Sequence, residues 1–85
     1  MSRIDKLKQR FLSEPIPTDF RWDDLVRMLD SMGFTMETND GSARRFVCTV
    51  MPEIVIFIHE PHPKKILKNY QMRDIRQILR DNGLL

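Results

Sequence analysis

Cysteine is nearly absent from this chain: Cys48 stands alone among 85 residues. A single thiol closes no intramolecular disulfide, and no cysteine pair suggests zinc. Long apolar runs are missing too; none approaches the ~20 residues that cross a bilayer. The N-terminus has no apolar core of the signal-peptide type. Internal repeats and low-complexity stretches are also lacking. A reducing, cytoplasmic setting without membrane attachment is the expectation. Histidine occurs only at His59 and His62, and H-x-x-H broken by a proline, with no third ligand in view, argues against a metal site.

What is present suits one small domain. Hydrophobic residues make up 41% and charged residues 31%, ordinary for a globular chain with one core. The net charge of +2 hides a pattern: residues 1–12 carry +3, residues 13–40 carry −5, residues 41–80 carry +5, and Asp81 adds −1. The second half is therefore a candidate cationic surface, which attracts phosphate chains. A solvated charged face is the plainer alternative.

Periodicity divides the chain into seven pieces. Arg3 to Leu12 reads as a short helix with Ile4, Leu7 and Phe11 on one side. Pro15 and Pro17 stop it. A second helix from about Arg21 to Met32 places Trp22, Leu25, Val26, Leu29 and Met32 on one face, and Gly33 caps its end. Phe34, Met36 and Thr38 alternate as a strand. Asn39-Asp40-Gly41 is a hairpin signal, and Arg45 to Val50 is the return strand. Ile54 to Ile58 is apolar throughout, which predicts a central or well-covered strand. A lysine-bearing loop then leads to a helix from about Asn69 to Asn82, capped by Asn69 and ended by Gly83, with Met72, Ile75, Ile78 and Leu79 as its stripe. The expected fold class is α+β: an α-β-β-β-α domain of the double-stranded-RNA-binding type. Two helices lie on one face of a three-stranded antiparallel sheet, behind an extra N-terminal helix.

Three constellations offer chemistry. On the last helix Arg73, Arg76 and Arg80 recur at i, i+3, i+7, and Lys64, Lys65 and Lys68 precede it. Such cations near a helix N-terminus suit phosphate, although a hydrated outer face gives the same pattern. His59 and His62 can exchange protons near neutral pH. Metal-free RNA cleavage needs a base for the 2′-OH, an acid for the leaving 5′-oxygen, and cations on the phosphorane. In the plainer reading one histidine faces solvent and the other packs on a turn. The third constellation is Gly41 to Phe46. Ser42 caps the strand or touches phosphate, and Arg44 and Arg45 point to opposite faces. One of them must then lie on the outer face while the other snorkels or pairs. Phe46 belongs to the core.

From about residue 20 to residue 85 the chain resembles the HicA-type mRNA-interferase toxins. The resemblance rests on Leu29-Asp30-Ser31-Met32-Gly33-Phe34, on Gly41-Ser42 before a strand, and on Pro61-His62-Pro63 after the last strand. Gln71-Met72-Arg73-Asp74-Ile75-Arg76-Gln77-Ile78-Leu79 and Gly83-Leu84 complete it. It implies a cofactor-free, ribosome-independent endoribonuclease that cuts mRNA, neutralised by a HicB-type antitoxin over the active face. It also implies a division into an N-terminal helical extension, 1–17, and a nuclease domain, 18–85. In the family the catalytic histidine follows Gly-Ser on the second strand; here Ala43 stands there, followed by Arg44. Three readings follow: a histidine replaced so that a lethal toxin can be produced, a branch using Arg44, His59 or His62 instead, or a binding protein without activity. The implied catalytic set is the Ala43 position with His62, His59 and Arg44. The implied RNA contacts are Ser42, Arg45, Lys64, Lys65, Lys68, Arg73 and Arg76.

Overall fold

Residues 3–38 and 41–85 are described by a computed structural model. Helix α1 spans Arg3–Phe11 and α2 spans Trp22–Ser31; strands β1, β2 and β3 are Phe34–Thr38, Ala43–Cys48 and Val55–His59; helix α3 is Asn69–Asp81. The strands form one antiparallel sheet in the order β1-β2-β3. Asn39 and Asp40 of the expected hairpin turn lie outside the described residues. Gly41, which follows them, has φ +66°, the left-handed region that glycine enters without a steric penalty.

One face of the sheet carries the core. Phe34, Phe46, Cys48, Ile56 and Ile58 alternate along the strands and pack against Leu25, Met28 and Leu29 of α2 and Met72, Ile75 and Leu79 of α3. Their near-complete burial is the main favourable term in holding the layers together. The end of α2 turns into β1 through Gly33, whose φ of +92° follows the cap residue Met32. Helix α1 adds Phe11, which is fully buried and meets the Phe20 ring edge-on at 5.5 Å between centroids.

Three expectations are corrected. The return strand starts at Ala43 rather than Arg45 and ends at Cys48. Just beyond it, Thr49 donates its amide and its hydroxyl to the Gly33 carbonyl. Helix α3 is capped not by Asn69 but at Lys68, whose backbone amide donates to Gln71 Oε1 at 2.9 Å. The apolar run at 54–58 is not a central strand. Two successive hairpins keep the strands in chain order, so β3 lies at the sheet's edge with only one face under helix.

Candidate functional site

The sheet end formed by the start of β2 and the end of β3 gathers the polar residues of interest. Register sets Ala43 opposite His59 and Arg44 opposite Ile58. Residues 44, 46 and 48 share the helix-covered face, so Ala43 and Arg45 lie on the open one. The backbone bonds Glu60 N to Ser42 O and Cys48 N to Ile54 O bracket this ladder. They make Ala43 and His59 a non-hydrogen-bonded pair, the closer kind, with Cα atoms ~4.5 Å apart in an ideal ladder. The Ser42 hydroxyl stands 3.2 Å from His59 Nδ1. Which of the two donates depends on the histidine tautomer.

Arg44, on the helix side, has no core partner of its own polarity and turns along the sheet end. Its Nη1 donates to the carbonyls of Gly41 and Ala43, each at 2.9 Å, and its Nη2 lies 3.1 Å from Glu60 Oε1. Glu60 also holds the Lys65 ammonium. Its side chain is only 15% exposed, so the triad is partly shielded from water and its attraction less screened than at an open surface. Glu60 carries a structural role that sequence reasoning missed. An acidic residue inside a cationic stretch was visible, but the partners that meet across the sheet end were not.

Gln71 ties this corner to α3. Buried at 5% exposure, it donates through Nε2 to the His59 carbonyl at 3.0 Å while accepting from the Lys68 amide. One side chain thus fixes both the end of β3 and the start of α3.

The structure brings some of the expected site residues together and separates others. Ser42, Arg44, His62 and Lys65 line one shallow concavity with Gly41, Glu60 and Pro61. Ala43 and His59 adjoin it on the sheet. Lys64 and Lys68 line a neighbouring depression that shares Pro61 and His62. Arg45 lies one row further along the open face, 3.3 Å from Glu37 Oε1 and with its guanidinium over the Phe57 ring. Arg73 is exposed on α3 and lines neither depression.

Arg76 departs furthest from expectation. It is 4% exposed, so the stripe of Arg73, Arg76 and Arg80 is not a continuous outer face. Its guanidinium donates to the Phe11 carbonyl from Nε at 3.0 Å and from Nη2 at 2.7 Å. It also donates to Ser13 O at 2.8 Å and to Glu14 Oε1 at 2.8 Å. Every contact fastens the end of α1 and the chain just after it to α3. Position 76 lies four residues after Met72 and three before Leu79, on the buried stripe; that spacing was the available signal.

Among the described residues no helix is long and apolar enough to cross a membrane, and no group of three or more His, Cys, Asp or Glu is placed to hold a metal ion. The family described as HicA toxin of bacterial toxin-antitoxin matches residues 22–84. This chain belongs to the HicA toxin family. The match takes in α2, the whole sheet and α3, and therefore every element that builds the sheet-end corner. No curated protein and no solved structure matches the chain. As a HicA family member it is the toxin half of a toxin-antitoxin pair, so an antitoxin partner belongs with it.

Proposed function

We propose that this HicA family toxin acts on messenger RNA, holding the strand at a sheet end laid out for metal-independent acid–base cleavage. The observation that carries the reading is the cross-strand pair of Ala43 and His59, beside a concavity lined by Arg44, His62 and Lys65. Family resemblance puts a histidine at the Ala43 position. An imidazole there would stand beside that of His59, since side chains of a directly opposed pair have Cβ atoms only ~4.5–5.5 Å apart. One would take the proton of the 2′-OH as it attacks phosphorus. The other would protonate the departing 5′-oxygen. Arg44 and Lys65, in the adjoining concavity, would offset the charge gathering on the phosphorane.

With alanine at 43, this chain retains His59 on the open face, His62 in the concavity, and the cations. The proposal is therefore of RNA binding with slow or absent turnover. A non-catalytic RNA-binding or adaptor role is the second reading, and the methyl group at position 43 is what favours it. Ser42, Arg45, Lys64, Lys68 and Arg73 would contribute phosphate contacts; Arg76, being buried, would not. We infer further that the neutralising partner is a HicB-type protein and that the pair works in the cytoplasm. Residues 1–17 would serve as an extension to a domain of residues 18–85; the start of the family match at residue 22 is consistent with that division.

The test is incubation of the chain with labelled single-stranded RNA in EDTA over a range of salt. Affinity should fall steeply as salt rises, because neutralised phosphates release counterions. A retained complex without products supports the binding role. A salt-independent shift removes RNA as the ligand.

A further inference from the structure

The two edges of the sheet are built differently. On β1 the open-face side chains are Thr35 and Glu37, polar and charged, which discourages a further strand, and the 38%-exposed Met36 on the other face lies in a groove flanked by the charges of Arg27 and Asp30. On β3 the outward side chains include Val55 and Phe57, and Phe57 is 71% exposed. The strand is apolar on both faces while only one is covered.

Its main chain is equally open. The ladder bonds that bracket β3 fall on Ile54 and Glu60, so the even-numbered residues exchange their bonds with β2. The amide and carbonyl groups of Val55 and Phe57 then point away from the sheet. The His59 carbonyl differs, because Gln71 already occupies it. A groove runs along this edge between β3 and α3, floored by Ile56, Ile58 and Ile75 and walled by Phe57, Tyr70 and Asp74. Tyr70 is 53% exposed.

We propose that this edge is a docking site for an extended segment of a partner protein, which adds a fourth strand to β3. Outward amides and carbonyls ask for alternating acceptors and donors at the strand repeat, which another polypeptide backbone supplies. A phosphodiester chain offers acceptors but no amide donors. The groove takes apolar side chains at every second position. At its His59 end it meets Ser42 and then the concavity where Arg44 and Lys65 share the one carboxylate of Glu60, so an excess positive charge remains there for a carboxylate of the segment. A second copy of this chain fits less well. The chain turns before Val55, where Ile54 N donates to Met51 O, so a copied β3 ends too soon to answer the cationic end. Docking itself does not depend on the RNA reading; only its consequence, occlusion of the sheet end, rests on that reading.

The test uses the full isotope-labelled chain with nine-residue peptides alternating threonine with valine, isoleucine or leucine and ending in two glutamates. At least one peptide should slow hydrogen exchange at the Val55 and Phe57 amides about tenfold or more. Ile56 and Ile58, already bonded to β2, should change little. Phe57→Pro removes an outward donor without removing a ladder bond. It should weaken binding at least about tenfold while exchange at Ile56 and Ile58 stays slow. Three results overturn the proposal: no protection at Val55 and Phe57 from any peptide, the same protection arising from protein concentration alone, or protection by a twelve-nucleotide oligouridine but not by peptide. Because the peptide arm is read without RNA, a chain that proves inactive on RNA leaves its result unaffected.

Discussion

Two arginines anchor two corners of this molecule in opposite ways. Arg76 is buried, with its donors spent on Phe11, Ser13 and Glu14. Arg44 is bonded to Gly41, Ala43 and Glu60 yet lines an open concavity with His62 and Lys65. Both are cations in the same basic half of the chain. Net charge by segment does not separate an arginine that holds the fold from one that can meet a phosphate; burial and partner type do.

The sharpest way to break this comparison is Arg76→Ala. It strips the Phe11 and Ser13 carbonyls of their donor. Leaving a buried acceptor without its donor costs about 1–3 kcal/mol, and two carbonyls are left so here; Glu14, being exposed, adds little. Urea denaturation measures the loss. Under conditions where the variant remains folded, its RNA affinity should match that of the parent. Intact stability with lost RNA binding would reverse the roles assigned to the two arginines.

Arg44→Ala should do the opposite. Its ion pair is largely shielded, but Lys65 still answers Glu60, so stability falls by about 1–2 kcal/mol, less than for Arg76→Ala. RNA affinity should drop, and the slope of log affinity against log salt should become shallower by about 1, as for one lost phosphate contact. An unchanged slope would take Arg44 off the RNA path.

Glu60→Gln gives the smallest effect. It replaces the shared carboxylate by an amide whose oxygen can still accept from one of the two cations, at a stability cost of about 1 kcal/mol. RNA should bind more tightly and with a steeper salt dependence, read by titration at several ionic strengths. Weaker binding would mean that Glu60 orients those cations for the ligand rather than competing with it.

Periodicity carried most of the fold. The alternation of Phe34, Met36 and Thr38, the helical spacing of Trp22, Leu25, Val26 and Leu29, and Gly33 after α2 each encode local geometry, and the α-β-β-β-α order follows from them. The place of β3 was misread because a strand buried on both faces and a strand with a partner-seeking face have the same composition. Only sheet order distinguishes them. Arg76 was misplaced because charge outweighed spacing in the reading of α3. At the site, Gly41-Ser42 and the His-Pro turn do come together at one corner of the fold. The Arg44–Glu60–Lys65 triad and the hold of Gln71 on His59 were not legible, since each joins residues whose adjacency depends on strand register and helix packing.

The central claim is that the sheet end is an RNA-cutting corner whose turnover hinges on position 43. Ala43→His, assayed on labelled RNA in EDTA beside Ala43→His combined with His59→Ala, tests it most directly. The account predicts cleavage by the single variant at least about a hundredfold faster than by this chain, the scale of one general acid–base contribution, with most of that gain lost in the double variant. A folded, RNA-binding Ala43→His protein that leaves RNA uncut would contradict it.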